Sequence, residues 1–427
     1  MIALLTLIAC LDPIQKDTDT ASGDSDDSGA GGGSSIFDVR SGAIGDGETV
    51  TLTGVLVSSP VTRVDDDSGR SDGFFIQDPA GGEKSGLYVW SQGQFGDELT
   101  VVVGDKVSIS GQISEFYDWT ELVVGDASSI TRTGSGTLPA PAALGDGAGV
   151  DWDAYESVPV TLTEQTVESV NAFNTGTLTA GVSLDDGFVY NDYGCRGHYA
   201  TVTGIVFFRN YDDEVTPDDW SLNNRSEADL GAYTEGAVID TTIHAIRMGE
   251  VCGPVRVQGV VSTAASYGES KEETSIFVQD VGGGEYSSLL AFSPSEHVAY
   301  DAGTTFDITG DVSNYYGLIE LFVGDIAGIS ATGTAEPVVD VLVDAPADWL
   351  PWQSALVTIT NVTTTSDQDD FGVINTDKGV YLDDLLSYFE ATNGQTWSSV
   401  TGPIFYTSYD DEVKFLLEPR SAADFVE

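Results

Sequence analysis

Repetition is the feature that most constrains this chain. "GFFIQDPAGGEKSGLYVWS" (73–91) returns as "SIFVQDVGGGEYSSLLAFS" (275–293). "SISGQISEFYDWTELVVGD" (108–126) returns as "DITGDVSNYYGLIELFVGD" (307–325). A second kind of segment is interleaved: "GVSLDD" (181–186) matches "GVYLDD" (379–384), and "RSEADL" (225–230) matches "RSAADF" (420–425). The order is A-B-A-B. A chain copied in this way must fold as a series of similar modules, each closing its own core.

The two kinds of module also resemble each other. Each ends in a glycine, an apolar run, a tyrosine six or seven residues on and a carboxylate shortly after: Gly111/Tyr117/Glu121, Gly204/Tyr211/Glu214, Gly310/Tyr316/Glu320 and Gly402/Tyr409/Glu412. Apolar and polar residues alternate around each tyrosine, which is the pattern of a β-hairpin. The repeated phrase Tyr-Asp-Asp-Glu-Val (211–215 and 409–413) then reads as a hairpin turn, because Asp tolerates the dihedrals of a tight reversal. Ser226-x-x-Asp229 and Ser421-x-x-Asp424 have the spacing of a capping box opening a short helical turn. Long helical periodicity is missing, so the expected class is all-β.

Ahead of the repeats, "MIALLTLIAC" is a short apolar run ending in Leu7-Ile8-Ala9-Cys10. It resembles the lipobox of bacterial lipoproteins, in which the signal is removed and the cysteine carries lipid. That resemblance implies a signal peptide at 1–9, lipid attachment at Cys10, export, and anchoring to the outer membrane or cell surface. Residues 10–35 are rich in Asp, Ser and Gly, cannot bury a core, and read as a disordered tether. The remaining cysteines, Cys195 and Cys252, are either a disulfide or two buried free thiols.

With 69 Asp+Glu against 16 Lys+Arg the formal net charge is −53. Such a chain is soluble and attracts cations. It is poorly suited to gripping nucleic-acid backbones, whose binding rests on Lys and Arg displacing counterions.

"GFFIQD…SGLYVW…VGDKVSISGQISEFYDWTEL", then "DWDAYESVPVTL", then "GPIFYTSYDDEVKFLLEPRSAADF" is similar to the paired OB-like domains that precede the catalytic domain in secreted bacterial nucleases of the endonuclease/exonuclease/phosphatase type. The likeness covers about residues 36–427 in two copies. Its markers are Phe75, Gln77 and Asp78 with Phe277, Gln279 and Asp280; Glu121-Leu122 with Glu320-Leu321; and the terminal Pro-Arg-Ser-x-Ala-Asp run, where the first copy has Asn224 for proline. The resemblance implies four tandem OB-like β-barrels: A1 at 36–146, B1 at 147–233, A2 at 234–340 and B2 at 341–427. No catalytic residue carries over, because His198, His244 and His297 stand without matching acidic partners for a metal-dependent site.

On an OB barrel the ligand face is formed by strands 2 and 3 with loops L12 and L45. The tyrosine hairpins would be L45, and Tyr117, Trp119, Tyr211, Tyr315, Tyr316 and Tyr409 are either stacking platforms for bases or sugar rings, or packing residues at the barrel mouth. Asp65, Asp67 and Asp72 in "VDDDSGRSDG" are either a calcium loop of hard oxygen ligands or a solvated acidic loop. No other cofactor is expected. The expected function is a non-catalytic binding or assembly scaffold at the cell surface. The alternatives are a nucleic-acid-binding accessory of a secreted nuclease system and a glycan-binding surface protein, and the charge sign argues against the first of these.

Overall fold

The computed structural model describes residues 34–427 apart from 67–68, 92, 94, 96–98, 172–173, 192, 209–219, 269–271 and 410–411. Four seven-stranded sheets follow one another along the chain. They fall into two compact units. The first ends at Tyr233; the second runs from Thr234 to Glu427 and takes in 167–174 and 193–197.

The first sheet shows why these sequences close into barrels. Its strands are β1 (Thr49–Val57), β2 (Thr62–Asp66), β3 (Gly69–Gln77), β4 (Gly86–Ser91), β5 (Asp105–Phe116), β6 (Trp119–Val123) and β7 (Ile130–Ser135). Neighbours run β1-β3-β4-β6-β5, β5 pairs back onto β1, and β4 lies parallel to β6. That closed five-stranded order, with strands 3 and 5 parallel, is the OB-type barrel. Closure needs strong local bending, which β1 gets from a bulge between Thr53 and Val55 with Gly54 at φ 77°. A2 repeats the device: the register slips between Val257 and Val260 around Gly259, at φ 67°. Glycine is the residue that adopts such dihedrals without strain.

The same ring recurs in the other sheets. In A2 it is Gly253–Ser262, Thr274–Gln279, Ser288–Ser293, Leu318–Phe322 and Thr304–Tyr315. In B1 it runs through Pro159–Val170, Gly176–Leu178, Ser183–Asp185, Trp220–Asn223 and His198–Phe208. In B2, Leu356–Thr363 pairs with Thr396–Tyr409, and a bridge between Thr364 and Thr376 closes the ring. The four repeated glycines sit where the fourth strand crosses the fifth. A Cβ on Gly111 would lie 2.5 Å from the Val123 carbonyl, and one on Gly310 2.5 Å from that of Phe322. On Gly204 it would meet Leu222 at 3.0 Å, and on Gly402 it would collide with the Glu418 carbonyl. These glycines are required by close approach.

Alternate residues of each strand fill the barrel. In A1, Phe74, Ile76, Leu87, Val89, Val107, Ile109 and Leu122 pack together with Ile36 and Val39 of the short helix α1 (Ile36–Arg40). A true capping box opens α1: Ser35 Oγ accepts the Asp38 N–H, and Asp38 accepts the Ser35 N–H at 2.9 Å. The boxes expected at 226–229 and 421–424 differ. Each segment does form a short 3-10 turn, but the aspartates turn back onto the preceding arginines. Arg225 Nε and Nη2 donate to Asp229, and Arg420 Nε and Nη2 donate to Asp424. The forked, charge-assisted pair takes the carboxylate, while Ser421 Oγ still caps its turn by accepting the Ala423 N–H at 3.2 Å.

Candidate functional site

On β3, β4 and β6 the residues that alternate away from the core are Phe75, Tyr88 and Trp119. They occupy the strand 2–3–5 face of A1, and B1 covers it. Phe75 lies 4.7 Å from Phe207 and 6.1 Å from Phe188, while Trp119 stacks on Tyr88 at 4.6 Å and 19°. Trp119 is half-buried, and its indole N–H has no hydrogen-bond partner. It is a packing residue of the module junction.

The second unit builds the same junction from other residues. Phe277, Leu290 and Leu318 stand where Phe75, Tyr88 and Trp119 stand in the first. They form one cluster with Tyr406, with Leu386, Phe405 and Phe415 packed against it. Phe277 meets Phe405 edge-on at 6.1 Å. The face that OB barrels use for ligands is therefore internal in both A modules.

A buried arginine pins each junction. Arg40, the last residue of α1, donates to Glu156 Oε1 at 2.7 Å and to the Asp153 carbonyl at 3.0 Å. Glu156 also accepts the Thr120 N–H at the start of β6. Burial pushes the Glu156 carboxyl up to about 8 even with Arg40 beside it. In the second unit Arg247 ends α2 (Ile243–Arg247). It donates to the Ser288, Gln353 and Leu350 carbonyls at 2.9, 2.6 and 2.7 Å, and Gln353 Oε1 accepts the Ile319 N–H. Burial pulls Arg247 down to about 10. Sequence reasoning missed these residues. The available signal was the matched "SIFDVR" and "TIHAIR" segments, each placed before a first strand.

Among the described aromatic residues of the A modules, those at the β5–β6 hairpin tip and its copy face outward. Tyr117 and Asp118 turn at φ 50° and 65°, and Tyr316 and Gly317 at 51° and 95°. Positive φ at both central residues is the type I′ reversal that suits a twisted hairpin. Phe116 and Tyr117 meet edge-to-face at 4.8 Å; Tyr315 and Tyr316 do so at 4.9 Å. All four rings are exposed, Tyr117 to 56% and Tyr316 to 66%. Tyr409 ends its strand opposite Glu412, as a hairpin there requires. Tyr211 lies outside the described residues.

The acidic segment expected to be a loop at 65–72 is mostly strand. β2 and β3 form a hairpin whose backbone register sets position 65 opposite 70 and position 63 opposite 72, while Asp67 lies outside the described residues. Asp72 is buried. Among the described residues no group of three or more His, Cys, Asp or Glu side chains is arranged to hold a metal. His198 lies 3.3 Å from Glu164, and His297 Nδ1 is 3.0 Å from the Glu273 carbonyl. Cys10 lies outside the described residues. Cys195 and Cys252 are joined by a disulfide with Cα atoms 5.8 Å apart.

Two acids at equivalent positions are buried near the junctions. Burial raises Glu121 to about 7, with Glu115 adding to the shift, and raises Glu320 to about 7.

The strand order thus defines the class as tandem OB-type barrels. No family model matches the chain, and no curated protein does. Among solved structures it is similar to a small single-stranded DNA-binding protein from Streptomyces coelicolor, at 20% identity over 20% of this chain and 92% of that one, with a TM-score of 0.16. It is similar to a murine DNA-binding protein bound with double-stranded DNA, at 10% identity over 65% and 94% of the chains, TM-score 0.17. A replication protein A heterotrimer bound to single-stranded DNA matches at 8% identity over 87% and 78%, TM-score 0.14. At such scores these likenesses carry no argument about what this chain binds.

Proposed function

We propose that the chain is a non-catalytic binding or assembly scaffold, held at the bacterial cell surface through lipid on Cys10. The observation that carries the binding part is the covered face: Phe75 and Phe277, at the centre of the strand 2–3–5 surface, pack on Phe207 and Phe405. Each A–B pair then acts as one body, and contact with a partner falls to its exposed hairpin tips, Phe116–Tyr117 and Tyr315–Tyr316. The net charge of −53 favours a neutral or cationic partner, a glycan or a basic protein surface, over a nucleic acid.

Fluorescence-polarisation titration of the full chain with labelled single-stranded DNA, with and without Ca²⁺, tests this reading. The expected outcome is no saturable binding at micromolar protein. Micromolar binding with a steep salt slope would replace it with the nucleic-acid reading. Turnover of DNA with Mg²⁺ or Mn²⁺ would end the non-catalytic assignment. The anchor is tested by Cys10→Ser, which is expected to move the protein from the membrane to the soluble fraction.

A further inference from the structure

Glu418 stands out among the buried polar groups. It is fully buried, and neither carboxylate oxygen closes a hydrogen bond of ordinary geometry. It directly follows a parallel strand pair in which Leu382 is opposite Leu417, so Asp383 is its cross-strand neighbour. Asp383 accepts the Asp384 N–H at 2.9 Å and donates its own N–H to the Leu417 carbonyl at 3.2 Å. Two carboxyl groups are thereby held side by side, one of them fully buried.

The first unit shows what that slot otherwise contains. Asp185 is opposite Asn223 in the equivalent register. Asn223 is also fully buried, but it donates to Ser221 Oγ at 3.0 Å and accepts the Gly187 N–H at 3.2 Å. Gly187 corresponds to Leu385, whose N–H likewise points at Glu418. The side chain at this position therefore holds down the loop after the third barrel strand. In the second unit that loop, residues 384–390, carries the exposed Tyr388.

We propose that Asp383 and Glu418 share a single proton and so form a pH-sensitive latch on the 384–390 loop, a device the first unit lacks because Asn223 cannot ionise. Two carboxyls in contact cannot both ionise cheaply, and burial disfavours the second charge further. The other charges acting on the pair are also carboxylates, Asp384 and Asp369. The cations flanking Glu418 in sequence are committed elsewhere, Lys414 to Glu412 at 3.3 Å and Arg420 to Asp424 at 2.8 Å. Burial and Asp383 together hold the Glu418 carboxyl well above the usual range, and burial raises Asp383 as well. The latch is therefore closed at low pH and weakens as pH rises through the raised value, because the opened loop lets Glu418 ionise at an ordinary one.

Hydrogen exchange of the full chain between pH 5.5 and 8.5, corrected for intrinsic rates, tests this with an internal control. Exchange in 384–390 is expected to rise with pH, by up to about tenfold per unit once opening is linked to one proton. The corresponding loop at 186–191 is expected to stay flat. Glu418→Gln keeps the neutral shape and is expected to flatten the 384–390 profile; Asp383→Asn, which removes the neighbouring charge, is expected to shrink it. A flat wild-type profile would overturn the latch, as would an unchanged slope in both variants. So would loss of the pH dependence on adding millimolar CaCl2, which would show a metal cation neutralising the pair.

Discussion

The two junctions share a geometry and differ in charge. In each, an arginine at the end of a five-residue helix reaches under the barrel, and a side-chain oxygen from the B module accepts the N–H of the second residue of the fifth strand. In the first unit that oxygen belongs to Glu156, an ionisable group that also accepts from the arginine at 2.7 Å. In the second it belongs to Gln353 and the arginine is satisfied by three carbonyls. Desolvating two charges costs nearly what their attraction returns, so an ion pair and a neutral set can hold the same place. The aromatic half of the junction shows a similar exchange. Tyr88 and Trp119 give way to Leu290 and Leu318, and Tyr406 and Phe415 restore the ring surface. The arrangement was kept while its charge and ring content changed.

The largest expected break of this symmetry comes from deleting the cations. Arg40→Ala takes the donor away from the buried Glu156 carboxyl, which burial already holds at about 8 and so largely neutral, and is expected to cost the first unit about 1–3 kcal/mol. Arg247→Ala leaves three carbonyls without a donor, at roughly 1–3 kcal/mol for each buried orphan that water cannot reach. Urea denaturation, with hydrogen exchange to locate the loss, distinguishes the two.

Next come the buried acids common to both units. Glu121 and Glu320 have folded values of about 7, above the ordinary carboxylate range. Their stabilising share is present below about 4.5 and is lost as pH rises through about 7. Glu121→Gln is expected to flatten that slope, raising stability at pH 8 by roughly 1–3 kcal/mol. Glu320→Gln should do the same in the second unit, and melting curves from pH 4 to 8 measure both.

Glu156→Gln sharpens the comparison by giving the first junction the second's residue. The Thr120 contact is kept, so stability at neutral pH is expected to change by about 1 kcal/mol or less. The pH dependence arising from Glu156 should vanish in the same melting series. The smallest effect belongs to the tips. Tyr117→Ala and Tyr315→Ala are expected to alter stability by no more than about 0.5 kcal/mol, since exposed rings contribute little to the core. A partner captured by the wild-type chain should nevertheless be lost.

Much of this architecture is legible locally. Segment matches reveal the A-B-A-B order, and the hairpins follow from alternation. The glycines at 111, 204, 310 and 402 mark each hairpin, although the carbonyls and side chains they must clear lie on another strand. The site was harder to read, because a junction is a long-range event. Nothing near Trp119 says that Tyr88 will stack on it, and nothing near Arg40 names Glu156, 116 positions away. The acidic stretch at 65–72 misled for a related reason: Asp and Gly usually mark loops, yet here pairing with β3 keeps Arg63, Val64 and Asp65 in a ladder. The Ser-x-x-Asp spacings marked real short turns, but Arg225 and Arg420 stand just ahead and claim the carboxylate.

The internal packing of the strand 2–3–5 surface also decides which pieces of the chain can stand alone. An A module cut loose would turn Phe75, Tyr88 and Trp119, or Phe277, Leu290 and Leu318, toward water, and would tend to stick to its neighbours. A lone A module is therefore a poor piece to cut out by itself. The smallest piece that keeps this surface dry is the A–B couple, and two such couples tolerate seams of different chemistry.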